Sequence, residues 1–189
     1  LFDLIASDPR IMPHLHLSLQ AGDNLILKRM KRRHTRDQAI RFCSDLRSLR
    51  PDVTFGADLI AGFPTETDDQ FANTLALVDE CGLAFLHVFP YSVRRDTPAG
   101  RMPQVPDDVK KGRVAQLRAK GEGALAAHLM ARAGSQDRIL VERIGPTGAT
   151  GHGEDFSAVI LGGNVGVGEI VRATVTGFEN GRLIAQSNL

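Results

Sequence analysis

The first third of the chain alternates between strand-like and helix-like patterns of apolar residues. Residues 14–20 alternate strictly between polar and apolar side chains, which predicts a β-strand whose leucines share one face. Asp23 can cap a short helix that extends to about Met30, and Thr35 can cap a longer helix with apolar residues at helical spacing. Arg50 and the proline after it end that helix, because proline cannot continue the hydrogen-bond ladder.

The alternation continues in the next part of the chain. Strands are predicted over residues 53–60 and 85–89, with a helix between them from about Thr67 to a left-handed cap at Gly82. Strand, helix, strand, helix and strand with short connections are typical of parallel βαβ units. Three strands can neither close a barrel nor cover both of their faces. The pattern therefore predicts an α/β fold, as a segment of either a doubly wound sheet or an (α/β) barrel.

Parallel α/β folds collect functional groups at the carboxyl ends of their strands. In this chain those ends are residues 20–22, 62–64 and 90–92. Side chains of these three segments are therefore the first candidates for a binding or catalytic site.

The rest of the chain has a different pattern. Residues 94–106 are rich in Pro, Gly and Arg and are typical of a connection, and a long helix is predicted from Asp107 to about Arg132. Four short strands are then predicted between glycine-rich turns, at residues 138–144, 156–161, 169–175 and 182–186. We therefore expect residues 1–133 to form the α/β part with its trailing helix, and residues 134–189 to form a small all-β barrel.

Composition and charge narrow the class of protein. The 189 residues are 42% hydrophobic and 24% charged, which is typical of a globular protein and not of a disordered or fibrous one. The net charge of +1 argues against nucleic-acid binding through bulk positive potential, so such binding would need a local patch. No apolar run is long enough for a membrane span and no secretory leader is recognisable, so we expect a cytoplasmic protein. Because Leu1 begins in a helix-like pattern, we expect a fragment of a longer chain.

The two cysteines are too few for a disulfide framework or for a metal cluster held by protein thiolates. Cys43 and Cys81 each fall on the apolar face of a predicted helix. Both are therefore expected to be buried core residues and not cluster ligands.

Several residues could carry chemistry, and each has a competing structural explanation. Six basic side chains between residues 28 and 36 could bind a carboxylate or phosphate, or could form a solvated turn. Asp58 lies in an apolar strand and either pairs with a nearby arginine or belongs to a site, because an unpaired buried charge is costly. His14 and His16 share a strand face, but without a third ligand at metal spacing interior packing is favoured over a metal site. His87 carries no specific signal.

Taken together, these segments resemble one family. Residues 16–35 resemble the methylthiotransferase pattern H-x-P-x-Q-S-G-S-x-x-x-L-x-x-M-x-R-x-x-T, residues 58–67 resemble its D-x-I-V-G-F-P-G-E-T, and residues 94–102 resemble its R-x-G-T-P-A-x-x-M. The C-terminal β module resembles the TRAM domain that ends these enzymes. The chain departs from the patterns at Ser18 for Pro, Ala21 and Asp23 for Ser, Thr65 for Gly and Asp96 for Gly.

The resemblance implies both a fold and an activity. The chain would be the C-terminal part of a radical S-adenosylmethionine (α/β) barrel followed by a TRAM barrel that binds RNA. The family uses S-adenosylmethionine and two 4Fe-4S clusters, whose cysteine motifs would precede this fragment, so the fragment would be inactive alone. The implied reaction is reductive cleavage of S-adenosylmethionine to a deoxyadenosyl radical, hydrogen abstraction from an adenine ring, and transfer of a methylated sulfur.

Within the family, residues 15–17 and 86–92 are most like the branch that acts on threonylcarbamoyladenosine beside the anticodon of tRNA. The branches that modify isopentenyladenosine in tRNA or a ribosomal protein are less similar and stay open as alternatives. A non-catalytic module that binds RNA or protein is a further alternative. Residues 134–189 carry four arginines against six acids, so RNA binding by this module would rest on shape and a few side chains.

The resemblance also places six residues at the cofactor or substrate, namely Gln20, Arg32, Asp58, Gly62, Phe63 and Tyr91. Arg32 would offer its planar fork of donors to a carboxylate, and Asp58 would organise the floor of the site. Gly62 and Phe63 would lie beside the cofactor's adenine. Tyr91 would stack on a base or on that adenine. No metal ligand is assigned within the chain.

Overall fold

The computed structural model describes residues 2–146 and 148–188. The chain divides into two compact units. The first consists of Leu1–Ser7 and Leu15–Ala124, and the second consists of Asp8–His14 and Leu125–Leu189.

A three-stranded sheet forms the centre of the first unit. Its strands are β1 (His14–Gln20), β2 (Thr54–Ala61) and β3 (Leu83–Pro90), in the order β1-β2-β3. Strands β2 and β3 run parallel, as the alternating pattern predicted. Because parallel neighbours end at the same edge, the segments that follow β2 and β3 meet there.

Four helices accompany this sheet, and their ends follow the capping signals in the sequence. They are α1 (Phe2–Ser7), α2 (Asn24–Arg29), α3 (Arg36–Leu49) and α4 (Asp68–Cys81). Asp23 caps α2 through the backbone N–H groups of its first turn. Thr35 and Thr67 each form a capping box with a glutamine three residues later. Gly82 ends α4 in the left-handed conformation, with φ of 59°.

The core of the first unit is apolar and includes both cysteines. Ala57 and Leu59 on β2 are fully buried, and so are Cys43 on α3 and Cys81 on α4. The two thiols are free and hydrogen-bond each other, and this contact together with burial raises the pKa of Cys81. The prediction that both cysteines are core residues is confirmed.

The second unit contains a closed barrel of five strands. Helix α5 (Asp107–Ala131) leads into it, and the residues of this helix up to Ala124 belong to the first unit. The strands are β4 (Gln136–Gly145), β5 (Gly148–His152), β6 (Ala158–Gly162), β7 (Ile170–Glu179) and β8 (Arg182–Ser187), in the barrel order β4-β5-β6-β8-β7. The prediction of four strands missed β5, whose sequence Gly-Ala-Thr-Gly-His resembles a turn. Gly151 is required there, because a Cβ would lie 1.8 Å from the carbonyl oxygen of Leu140.

A buried ionic network joins the last turns of α5 to the barrel. Asp155 is 3% exposed and accepts hydrogen bonds from His128 Nε2 at 2.8 Å and from the backbone N–H of Ser157 at 2.9 Å. Arg132 also pairs with Asp155, and its Nη2 lies 2.8 Å from Asp137 Oδ2. Burial opposes ionisation of Asp155, but these partners more than offset it and hold its pKa far below the usual range.

Within residues 2–146 and 148–188, no helix combines the length and the apolar character that crossing a membrane requires.

Candidate cofactor and substrate site

A cleft of about 400 Å³ lies at the carboxyl ends of the strands in the first unit. Its lining combines apolar and aromatic side chains with four cations. The described residues that line it include no carboxylate and are Gln20, Arg29, Met30, Lys31, Arg32, Ile60, Phe63, Tyr91, Arg94, Thr97, Pro98 and Ala99. A cleft of this composition suits a ligand with a flat apolar part and an anionic group.

Four of the six residues proposed from the family resemblance line this cleft, namely Gln20, Arg32, Phe63 and Tyr91. Gly62 is adjacent to Phe63 and adopts a φ of 75°, which favours glycine. Asp58 is not part of the lining and lies two residues before Ile60 on β2. The structure therefore brings four of the side chains together, while their roles in binding stay predictions.

Two aromatic rings form one wall of the cleft. Phe63 and Tyr91 meet edge to face, with ring centroids 5.1 Å apart and an interplanar angle of 73°. The backbone N–H of Tyr91 donates to the carbonyl of Ala61 at 2.9 Å, which ties this wall to the end of β2. The Tyr91 hydroxyl is buried and has no hydrogen-bond partner among the described residues. An unsatisfied buried hydroxyl is costly, so this wall favours a ligand that supplies a polar partner.

The basic segment divides into structural and solvent-facing side chains. Arg36 is structural, because its Nη2 lies 2.5 Å from Glu80 Oε2. Lys31, Arg32 and Arg33 are all exposed. Lys31 and Arg32 also line the cleft, and Arg32 donates from Nη2 to the carbonyl of Ser18 at 2.5 Å. The solvated-turn explanation thus accounts for part of the segment. The cations at the cleft still provide a positive wall for an anion.

Strained backbone accompanies the cleft. Gln20, Lys31 and Thr65 all have positive φ, at 71°, 56° and 66°. Non-glycine residues seldom adopt this conformation, and it is least favourable for a β-branched residue such as threonine. Thr65 stands where the family pattern has glycine, the residue that adopts a positive φ without steric cost.

A buried glutamate holds the turn that follows β2. The Glu66 side chain is fully buried; its Oε2 accepts from the backbone N–H of Gly62 at 2.9 Å and from Arg113 Nη1 at 2.9 Å. Burial raises the pKa of Glu66, although these two partners oppose that effect. No role for Glu66 or Arg113 was identified from sequence, because their contact joins residues 47 positions apart. Together they fix the Gly62–Phe63 turn beside the cleft.

Asp58 is paired with two histidines rather than with arginine. Its Oδ1 lies 3.0 Å from His16 Nε2 and 3.2 Å from His87 Nδ1. The hydrogen bond from His16 is the main reason that the pKa of Asp58 is lowered. The expectation of an arginine partner is therefore wrong, and His87, which had no signal in the sequence, belongs to the cluster. His14 packs instead against Phe156, with ring centroids 5.4 Å apart.

Comparison with known proteins shows which family the chain resembles. Residues 3–78 match the model of the radical SAM superfamily. Over 181 residues the chain is 49% identical to threonylcarbamoyladenosine tRNA methylthiotransferase of Rickettsia prowazekii. This match covers 96% of this chain and 42% of that protein. The chain is related to the radical SAM methylthiotransferases. It is also 35% identical over 179 residues to tRNA-2-methylthio-N(6)-dimethylallyladenosine synthase of Cereibacter sphaeroides, covering 93% of this chain and 41% of that protein.

This methylthiotransferase-related chain thus spans less than half the length of these two relatives. Among solved structures it is similar to coproporphyrinogen III oxidase of Escherichia coli, which is described as a radical SAM enzyme. The TM-score is 0.53 at 20% identity, over 65% of this chain and 29% of that one. At this identity the similarity shows a shared α/β fold and nothing about the substrate.

Proposed function

We propose that this chain is the part of a tRNA methylthiotransferase that binds S-adenosylmethionine and the target adenosine. The observation that carries the proposal is the cleft at the strand ends. Its lining combines the Phe63–Tyr91 pair with three arginines, and the described residues that line it include no carboxylate. The 49% identity to a threonylcarbamoyladenosine tRNA methylthiotransferase supports N6-threonylcarbamoyladenosine, next to the anticodon, as the adenosine that is modified. We place the reaction in the cytoplasm, where tRNA is available.

The residues of the cleft fit S-adenosylmethionine. An adenine can pack on the Phe63 and Tyr91 rings, and the buried Tyr91 hydroxyl can find a partner on a polar ligand. Arg32 offers further donors of its guanidinium to the ligand's carboxylate, since among the described residues its hydrogen bond is the one from Nη2 to Ser18. Gln20 lines the same cleft. When bound and reduced by an iron–sulfur cluster, S-adenosylmethionine supplies the hydrogen-abstracting group of this chemistry.

The two cysteines do not fit the role of cluster ligands, because both thiols are fully buried and hydrogen-bond each other between α3 and α4. We therefore assign the ligands of the 4Fe-4S clusters to residues outside this chain. The chain's own contribution is to hold the cofactor and the adenosine in position at the strand ends.

The second unit supports a contact with tRNA. We propose that residues 134–189 are a TRAM-like RNA-binding module, on the basis of their resemblance and of the five-stranded barrel. With more acids than bases, this module would bind through shape and a few side chains. The exposed cations Lys31 and Arg33 beside the cleft are better placed for tRNA phosphates.

The decisive experiment reconstitutes the whole protein that contains this chain with iron and sulfide, and supplies S-adenosylmethionine and tRNA that carries threonylcarbamoyladenosine. Mass spectrometry of the nucleosides should detect the methylthio product, and a strain that lacks the gene should lose it. Persistence of that nucleoside in the deletion strain would overturn the proposed function.

Arg32→Ala tests the carboxylate contact. It should raise the KM for S-adenosylmethionine about tenfold, because a charged hydrogen bond contributes about 1.5 kcal/mol or more. Arg41→Ala is the matched control, since Arg41 is exposed on α3 outside the cleft. Equal kinetics for the two variants would remove Arg32 from the site.

A second candidate substrate is dimethylallyladenosine in tRNA, because the chain is 35% identical to an enzyme named for that product. The same assay with tRNA that carries dimethylallyladenosine compares the two substrates directly. The higher identity to the threonylcarbamoyladenosine enzyme leads us to expect the larger kcat/KM with threonylcarbamoyladenosine.

A further inference from the structure

His16, Asp58 and His87 form a polar cluster on the sheet of the first unit, with one residue on each strand. We propose that this cluster is the subsite for the polar group on N6 of the target adenosine, and that His87 selects a carboxylate there over an apolar group. The inference rests on the proposed function, since it assigns a place to one part of the substrate.

The geometry of the cluster is specific. Asp58 and His87 are register partners in the parallel β2–β3 pair, so their side chains project from the same face. Asp58 Oδ1 bridges both imidazoles, at 3.0 Å from His16 Nε2 and 3.2 Å from His87 Nδ1. The two rings lie against each other, with centroids 4.6 Å apart. The three side chains therefore act as one unit.

The cluster lies on the face of the sheet that leads to the cleft. Side chains two residues apart on a strand share a face, so Asp58 shares a face with Ile60, which lines the cleft. At a rise of about 3.3 Å per residue, the two positions are about 7 Å apart along β2. On β1, His16 and Gln20 share a face in the same way. A target adenosine bound in this cleft can thus extend its N6 substituent along the strands to the cluster.

The two histidines have different parts in this subsite. His16 is a positioning residue, because its Nδ1 lies so close to Gly56 that a Cβ there would be 2.7 Å away. His87 is the more accessible ring, with 63% of its side chain exposed. An ionised Asp58 can only accept, so His87 donates to it from Nδ1, and Nε2 is the ring nitrogen left for a ligand. That nitrogen accepts from a hydroxyl or, when the ring is protonated, donates to a carboxylate.

A threonylcarbamoyl group offers both a hydroxyl and a carboxylate, whereas a dimethylallyl group offers neither. A protein site that hydrogen-bonds a polar substituent rejects an apolar analogue, because its own polar groups would then be buried without partners. The cluster therefore favours the first substituent over the second. Its three ligand atoms also lie within 4.8 Å of one another, a spacing that a divalent cation can use, so the test must separate direct contact from a bridging metal.

The test uses His87→Phe in the whole protein, with two tRNA substrates that differ only in the N6 substituent. With threonylcarbamoyladenosine, kcat/KM should fall about 10- to 100-fold, the effect of losing one charged hydrogen bond. With dimethylallyladenosine it should stay within about threefold, because no polar contact is lost. His87→Gln, which keeps a hydrogen-bonding group, should recover part of the activity on threonylcarbamoyladenosine. Arg41→Ala, which changes an exposed residue on α3 outside the cleft and the cluster, is again the control and should change neither value.

Binding of the free nucleoside N6-threonylcarbamoyladenosine, measured by calorimetry, gives a readout besides activity and should weaken by a similar factor in His87→Phe. An equal loss with both tRNA substrates, or no loss with threonylcarbamoyladenosine, would overturn the subsite. Nucleoside binding that disappears when a chelator is added would overturn direct contact in favour of a bridging metal. If the wild-type protein forms no methylthio product from either tRNA, the proposed function itself fails, and that result differs from all of these.

Discussion

Thr65 gives a quantitative test of the strained turn beside the cleft. Its φ of 66° is left-handed, and such a conformation costs an L-residue about 1–2 kcal/mol. Three hydrogen bonds hold it there, and in one of them its Oγ1 donates to the carbonyl of Pro64. Its N–H donates to the carbonyl of Pro103 at 3.1 Å, and its Oγ1 accepts from Arg29 Nη1 at 2.6 Å. We therefore expect the strain and the Arg29 contact to be separable by two substitutions.

Thr65→Ala removes the Arg29 contact and keeps a Cβ in the left-handed conformation, so it should destabilise the turn by about 1 kcal/mol. Thr65→Gly removes the same contact and also relieves the strain of about 1–2 kcal/mol, while glycine's greater freedom in the unfolded chain costs about 0.5–1 kcal/mol. The glycine variant should therefore be more stable than the alanine variant by roughly 0.5–1 kcal/mol.

Native-state hydrogen exchange, followed by mass spectrometry of peptides that cover residues 55–80, measures this difference locally. Exchange of amides in the Thr65 turn should be slower in Thr65→Gly than in Thr65→Ala, since opening of the turn would cost more free energy. Peptides from β4 to β8 should exchange alike in both variants and serve as the internal control. Equal or faster exchange in the glycine variant would show that the turn stores no strain.

Three other substitutions test separate features. Gly22→Ala should destabilise the first unit by about 3 kcal/mol in denaturant titrations, because a Cβ would lie 2.6 Å from the Cα of Thr74; wild-type stability would mean that α4 can move aside. Asp155→Asn should cost the second unit about 3 kcal/mol at pH 7 by breaking its pair with Arg132. Because the pKa of Asp155 is lowered in the folded state, its ionised form stabilises the fold above the ordinary aspartate pKa, and this stabilisation is lost as the pH falls towards the folded-state pKa. Asp155→Asn should therefore flatten the acid-induced loss of stability. An unchanged dependence of stability on pH would contradict the network. Tyr91→Phe should raise the free energy of unfolding of the ligand-free protein by up to about 1 kcal/mol and should weaken S-adenosylmethionine binding. A lower free energy of unfolding together with tighter binding would exclude the hydroxyl from ligand contact.

Local chemistry in the sequence was sufficient for most elements. The strict alternation of residues 14–20 and the caps at Thr35, Thr67 and Gly82 are properties of neighbouring residues, and the structure has a strand and helix ends at these places. Strand β5 was missed because Gly148–His152 has little intrinsic strand character and is held by its partners β4 and β6. Pairing across the barrel, not local propensity, determines that segment.

The candidate site was predictable only where its groups lie at strand ends or in family motifs. Gln20, Arg32, Phe63 and Tyr91 were found in this way, and they line one cleft. His87 was missed because a single histidine in an apolar strand carries no sign of its partner, which lies 29 residues away on β2. Cross-strand register is decided by the folded sheet, so contacts of this kind escape inference from one sequence.

The second unit is discontinuous along the chain, because it takes Asp8–His14 from before the sheet and Leu125–Leu189 from after it. In sequence order, residues 15–124 are an insertion into that unit. A chimera that exchanges only residues 134–189 between relatives would separate Met12 and His14 from the barrel groove that they line with Phe156. Transplanting the module therefore requires both segments, and proteolytic cleavage near residue 11 should loosen a barrel whose strands begin more than a hundred residues later.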